Sequence, residues 1–595
     1  MQRFIFAALA AVPVCALAQE TTLLDPLVVT ATGSEIRTSA LAANVLVISR
    51  EQIEAAQAGD LADLLRPYAG LEVERSGGPG QLSFLRIRGG ESDHTLILVD
   101  GVRTNPATGA PVLEHIDPAQ IERIEIIKGP RSTLYGADAV AGVINIITRR
   151  AARTGASFSG RTGSHDSSEL TAGLRYADEG KHLGATLARS ESEGIPICAE
   201  GGAPRGYNRT TVGIDGGVRR GALTLGLRAL DARGSTEIVD FCGFGGNNPQ
   251  DQAFQQQTVA AELGYAPEGI WSLRATASRI EDDLQQMQSD DFVRTVRPQL
   301  DVVNRLDFGA QALSLTLSAA HENADLLSFG SAITEEHQLY AVRLQHELDL
   351  DRHHLVAGVA YDDQDHFGSK TTWALDYGLG LWSGGELVAS AGTGFRAPSV
   401  FERSGLGGNP DLKPETAQNY ELGLRQRLGK TQLVDLRLFH TEVEDLIAFS
   451  GLRNENVREF RNQGVDLSYR LELQNWSATL TGLIQDPEDR TANRPLLRRA
   501  KRSAGLKLLR RFSQGSVGLD VVATGARPDL DFNSFPARQT EVGGYGLVNL
   551  SGSLKLSPAW TLRAKIDNLL DRDYQTVLGY RQDGAAFAIT LAWSN

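Results

Sequence analysis

Sulfur is scarce in this chain of 595 residues, which holds three cysteines and two methionines. Beyond the N-terminus no apolar run reaches about 18 residues, which excludes transmembrane helices. Positive charge is in deficit: the net charge of -14 and the pI near 5.4 argue against nucleic acid as a partner. No Ser/His/Asp or metal-ligand cluster occurs at a useful spacing, so there is no enzyme signature and no resident metal is expected. The glycine-rich run 77–80 precedes a strand and lacks Lys followed by Ser or Thr, so it is not a phosphate cradle. What abounds is glycine, 62 residues, as suits a large β protein with many turns.

The first 18 residues carry Arg3, an apolar core over 4–14 and Ala16-Leu17-Ala18, the pattern of a secretory signal cleaved after Ala18. Cys15 follows Val14 rather than a small residue, which argues against lipidation. The mature chain then keeps Cys198 and Cys242 in an oxidising compartment where a bridge can persist. Residues 19–40 form a polar tail holding a short β-branched run, Asp25, Pro26, Leu27, Val28, Val29, Thr30, Ala31 and Thr32. Such a spare strand can add to a partner's sheet edge; the alternative is pairing within its own chain.

Residues 41–150 read as an α/β unit. Ser49-Arg50-Glu51-Gln52 is a capping box that opens a helix, and Asp60 caps a second turn before Pro67 stops it. The stretch 121–148 is a strand, a turn through Lys128-Gly129-Pro130, and a strand from Val140 dense in small residues. Charges along these strands (Arg86, Arg88, Glu122, Arg123, Glu125) would be odd in a dry core. They suit a body in a polar lumen that pairs with the surrounding wall.

From 151 to 595 the chain becomes a series of segments about ten residues long with alternating hydrophobicity, the signature of an outer-membrane barrel. In 585–595 Phe587, Ile589, Leu591 and Trp593 point one way and Ala588, Thr590, Ala592 and Ser594 the other. The count is about 22 strands, the number of plugged outer-membrane transporters. Tight turns such as Arg220-Gly221, Gly429-Lys430 and Gln514-Gly515 alternate with long polar loops such as 193–207, 235–251, 486–497 and 527–543. Cys198 and Cys242 fall in neighbouring long loops; closing about 45 residues would contribute roughly 3–4 kcal/mol in the chain-entropy picture.

The run Gly129-Pro130-Arg131-Ser132-Thr133-Leu134-Tyr135-Gly136 and its continuation to Thr148 resemble the plug domain of TonB-dependent outer-membrane receptors. The 25–32 run resembles their TonB box, and the stretches 409–415 and 568–574 are general to the family. The resemblance implies an all-β transmembrane barrel, about 22 antiparallel strands, with an N-terminal α/β plug inside the lumen. It also implies TonB as energy-transducing partner through Asp25–Thr32 residues, outer-membrane lipids as surroundings, and a monomer. The run 495–501 is similar to cobalamin receptors within the family, implying cobalamin as cargo; the alternative is a ferric siderophore, haem or another metal chelate.

By that similarity, ligand contacts come from two plug loops and the outer mouth: Gln81, Leu82, Ser83, Phe84, Glu91, Gly109, Ala110, Arg498 and Phe532. Phe84 stands where the family can have serine, Phe532 where tyrosine is often found, and Glu91, Gly109 and Ala110 also depart from the pattern. Some cobalamin receptors bind calcium through aspartates in the second and third outer loops. Here 193–207 has no Asp, so calcium is not expected. A passive porin or adhesin would need neither plug nor spare strand.

Overall fold

The computed structural model describes residues 27–28, 30, 36–38, 41–240, 242, 248–449, 453–531, 533–534 and 537–595. Its larger part is a closed barrel of 22 antiparallel strands. Gly155–Gly163 pairs with the next strand, Ser167–Asp178, and also with the last, Ala586–Ser594, in the register Ser157↔Ser594. Closure leaves no strand edge open to lipid, which a spanning sheet requires.

The period of two decides which side chains face out. On Ala586–Ser594, Phe587 and Ile589 are about half exposed while Ala588 and Thr590 are buried. On Trp560–Asp567, Ile566 faces out while Arg563 reaches inward to Glu54 at 3.0 Å. The outward set is bulky and apolar, and the inward set carries the charges, because a charge on the lipid face costs about 2–4 kcal/mol at mid-membrane. The connections also alternate. One end of the barrel has short turns such as 221–222, 383–384 and 513–514; the other has the long connections. Two long loops are more ordered than the sequence foretells. Residues 397–414 hold a helical turn, Val400–Ser404, opened by a Ser399 capping box, and 525–544 fold into a hairpin of Arg527–Asp531 with Arg538–Val542.

Inside the barrel sits a smaller mixed body. Its short N-terminal strands are β1 (Leu27–Val28) and β2 (Ile36–Arg37), which pair antiparallel. A sheet follows, built from β3 (Asn44–Ser49), β6 (Thr95–Val99), β7 (Val102–Arg103), β8 (Ile121–Lys128) and β9 (Gly142–Thr148), in the order β3-β8-β9-β6-β7. A separate hairpin joins β4 (Leu71–Arg75) to β5 (Ser83–Ile87). Helix α1 (Arg50–Ala56) starts in the Ser49–Gln52 capping box, and α2 (Leu61–Leu65) is capped by Asp60. Leu61, Leu64, Leu65, Ile87, Ile124, Ile126 and Ile144 form its dry core. Between β8 and β9 the polar run becomes a helical turn, α3 (Ser132–Tyr135), and β9 begins at Gly142 rather than Val140.

The charged strand residues divide between two tasks. Arg88 crosses to the wall, pairing with Glu421 and with Asp466 (3.0 Å). Arg86 instead pairs with Glu74 of the same hairpin, Arg123 with Glu125 along its own strand, and Glu122 is exposed. Wall pairing of all five is therefore corrected to Arg88 among them, because neighbouring strand positions inside the plug already supply the opposite charge.

Candidate ligand-binding mouth and plug cavity

The 76–82 connection of the β4–β5 hairpin rises to the level of the long loops. Gly80 has φ +82, and a Cβ there would lie 2.4 Å from the Tyr207 ring, so glycine is required twice over. Gln81 is buried, its Nε2 donating to the Glu237 carbonyl at 2.9 Å. Ser83 is buried as well and donates to the Gln81 carbonyl at 2.8 Å. Phe84 is half-buried, whereas Leu82 at the tip is 47% exposed. Two of these four candidates therefore hold the loop in shape, and Leu82 is the one presented outward.

The second plug loop rests on a different arc of the wall. Ala107 donates its amide to Thr295 Oγ1 at 3.1 Å, and its carbonyl accepts from the Val400 amide at 3.1 Å. Asn105 braces the loop from within, donating to the carbonyls of Thr95 and Gly109. Gly109, at φ +96, lies beside Ser399, and both Gly109 and Ala110 are half-buried.

Arg498 has a positive φ and spans two acids: Nη1 donates to Glu74 at 2.7 Å and Nε to Asp529 at 2.9 Å. Burial lowers its pKa, but Glu74 and Asp529 outweigh that and raise it. Its neighbours repeat the pattern. Arg499 pairs with Glu91 at 2.5 Å, and the Ala500 amide donates to Glu72 at 3.1 Å. Burial alone would raise the Glu91 carboxyl, yet Arg499 and Arg86 hold it at about 2. The run 498–500 thus staples the plug to the wall. Its acid partners Glu72, Glu74 and Asp529 were not foreseen; the charge alternation of β4 was the available signal. Phe532 lies outside the described residues.

A cavity of about 620 Å³ separates the plug from the opposite arc. Leu96, Leu98 and Tyr135 line its plug side. Its wall carries facing charges, including Arg228–Glu262 at 2.7 Å and Arg343–Asp362 at 2.5 Å. It reaches from Phe367 and Ser399 in the outer connections to Ala222 and Ala266 in the short turns.

At the short N-terminal strands, Val28 is buried against Leu41, Ala43 and Ile127. The amide and hydroxyl of Thr30 donate to Glu125 Oε2 at 3.0 and 2.6 Å. Asn145 Nδ2 donates to the Thr30 hydroxyl, and the Tyr135 hydroxyl donates to its carbonyl, both at 3.0 Å. Asp25, Pro26, Val29, Ala31 and Thr32 lie outside the described residues. Across the outer loops, Cys198 and Cys242 form a disulfide with Cα atoms 5.3 Å apart.

A 22-stranded barrel with an apolar exterior, a charged lumen and its own N-terminal domain as stopper defines a plugged outer-membrane transporter. Residues 37–143 match the family described as TonB-dependent Receptor Plug Domain, and residues 199–569 match TonB dependent receptor-like, beta-barrel. The chain belongs to the TonB-dependent receptors, transporters of the bacterial outer membrane that work with TonB; its short turns face the periplasm and its long loops the outside. It is similar in structure to the siderophore receptor PirA from Acinetobacter baumannii, at 18% identity over 93% of this chain and 98% of that one, with a TM-score of 0.80. The FrpB iron transporter from Neisseria meningitidis is similar at 14% identity over 93% and 99%, TM-score 0.81. A variant of the ferric enterobactin receptor PfeA from Pseudomonas aeruginosa is similar at 17% identity over 93% and 99%, TM-score 0.78. At such identities the likeness carries the fold.

Proposed function

We propose that this receptor imports a metal chelate of the ferric siderophore class, drawing energy from TonB through residues 25–32. The carrying observation is the cavity beside the plug, which reaches from the outer loops to the periplasmic turns. A plug held by buried ion pairs on one arc, and meeting the other around a cavity with contacts such as Ala107–Thr295 and Val102–Ala260, is suited to opening along the cavity. The similar structures named as siderophore and iron receptors support the choice of cargo. The sequence holds no Walker motif, and pulling on the N-terminal segment is the route by which work arrives. In the structure Thr30 of that segment is held by Glu125, Asn145 and Tyr135, so its release costs several hydrogen bonds.

Cobalamin is the second reading, favoured by the outward apolar Leu82 and by the run 495–501, whose Arg498 sits against the first plug hairpin. Equilibrium binding to the purified receptor, with a panel of ferric siderophores beside cyanocobalamin, separates the two. Nanomolar binding of a ferric chelate and none of cyanocobalamin is expected; the reverse would transfer the assignment to cobalamin. Deleting 25–32 abolishes uptake while leaving binding intact. Uptake that survives the deletion would refute TonB coupling through this segment.

A further inference from the structure

At the outer rim, the strand Ser331–Leu350 brings His337 beside the loop that joins His353–Gln364 to Gly368–Trp382. That loop supplies Asp365 and His366. Among the described residues, these three are the group of His, Cys, Asp or Glu whose ligand atoms all lie within 4.8 Å of one another. Nδ1 of His337 is 2.9 Å from Nδ1 of His366, which is 2.9 Å from Asp365 Oδ1. The third side of this triangle, His337 Nδ1 to Asp365 Oδ1, is 3.8 Å. The circle through the three atoms has a radius of about 1.9 Å, just inside the ~2.0–2.1 Å metal–donor distance of zinc sites. A cation slightly above their plane would therefore lie within bonding distance of all three.

We propose that His337, Asp365 and His366 form an outer-mouth binding site for a borderline divalent cation of the zinc class, with one coordination position left open. Two imidazole nitrogens and one carboxylate suit Zn²⁺, Ni²⁺ or Co²⁺ and disfavour Ca²⁺, which takes six to eight oxygens. The surroundings prepare His337 for this role. Its Nε2 lies 3.3 Å from Glu335 Oε2, so a proton on Nε2 leaves the Nδ1 lone pair facing the triangle. Glu335 is itself held by Arg403 at 3.1 Å and by Ser404, both from the 397–414 loop. Arg403 thus faces Glu335 and lies over the Phe367 ring at 5.1 Å. His337 is buried, whereas the side chains of Asp365 and His366 are 40% and 35% exposed. The open position consequently faces solvent, free for water or for a donor atom of an arriving ligand. His337 and Phe367 also line the cavity, so the cation would stand at its entrance.

Sequence spacing hides this site, since His337 and His366 are 29 residues apart with no motif between them. It revises the expectation of no metal, and it holds whichever chelate the receptor carries. The test is titration of the chelator-stripped mature receptor in detergent with ZnCl2, read by competition against a chromophoric chelator. One Zn²⁺ per receptor is expected, with His337→Ala and His366→Ala each weakening it by about tenfold or more. Glu335→Gln, whose amide oxygen still accepts from Nε2–H, keeps most of the affinity, whereas Glu335→Ala loses it. Replacing His353 and His354, at a periplasmic turn, leaves binding unchanged, and heat-modifiable gel migration verifies that each barrel is folded. Absence of Zn²⁺ binding by the native receptor would overturn the proposal. So would binding that survives both His337→Ala and His366→Ala.

Discussion

The two arcs of the barrel wall hold the plug to different extents. On one arc, Asp466 receives Lys128 at 2.8 Å and Arg88 at 3.0 Å, and both cations are buried with it. Nearby, Arg437 donates to the Ala42 carbonyl at 2.8 Å and Arg425 to the Ala43 carbonyl at 3.2 Å, so the wall grips plug backbone as well. On the other arc Arg297 donates to the Asn105 carbonyl at 2.9 Å, but Arg228, Arg305 and Arg343 pair chiefly with carboxylates of the wall, and the cavity lies between them and β6. The same residue types serve as clamps where their partners sit on the plug and as a self-neutralised lining where they do not. Attachment of the plug is therefore decided by partner placement rather than by charge content.

The largest effect is expected on the clamped arc. Asp466→Ala leaves Arg88 and Lys128 buried without their shared carboxylate. Breaking one partner of such a buried pair costs about 3–5 kcal/mol. The loss is expected in plug stability, read as faster hydrogen exchange in β5 and β8, while the barrel still resists heating in detergent. Opening the Cys198–Cys242 bridge comes next. Its 44-residue separation corresponds to roughly 3–4 kcal/mol of loop-closure entropy, seen as faster proteolysis of those two outer loops with plug exchange unchanged.

Glu125→Ala removes the acceptor of the Thr30 amide and hydroxyl, at about 1–3 kcal/mol for the groups left unpaired. Increased labelling of a cysteine placed at Thr32 is the expected readout, with ligand binding preserved. The smallest effect belongs to Leu82→Ala. Trimming this exposed tip leaves stability unchanged and weakens ligand binding, read by equilibrium titration, by about 1–1.5 kcal/mol, near tenfold.

How far the chain could be read in advance follows from the distances over which its contacts act. The alternation of Phe587, Ala588, Ile589 and Thr590 was legible because lipid outside and charge inside repeat at every second residue. The capping box at Ser49–Gln52 was legible as local chemistry, whereas the close approach of Tyr207 to Gly80 shows only in the structure. Arg498 was singled out but not its partner, since Glu74 is 424 residues away and nothing local marks the pairing. Gln81 and Ser83 are expected as ligand contacts by similarity to cobalamin receptors, and their side chains turn inward to brace the loop. The cavity was not legible at all, being a gap between two bodies rather than a property of either.

The sharpest test tethers the plug across each arc in turn, in a receptor lacking the native bridge. Val102 packs against Ala260 beside the cavity, and Ala69 packs against Leu483 on the clamped arc. Uptake of the cognate ligand is measured with Val102→Cys/Ala260→Cys oxidised, and again with Ala69→Cys/Leu483→Cys oxidised. Blocked uptake with the first tether, restored by mild reductant, and retained uptake with the second are the predicted results. Retained uptake with the cavity-side tether and blocked uptake with the other would contradict passage along the cavity.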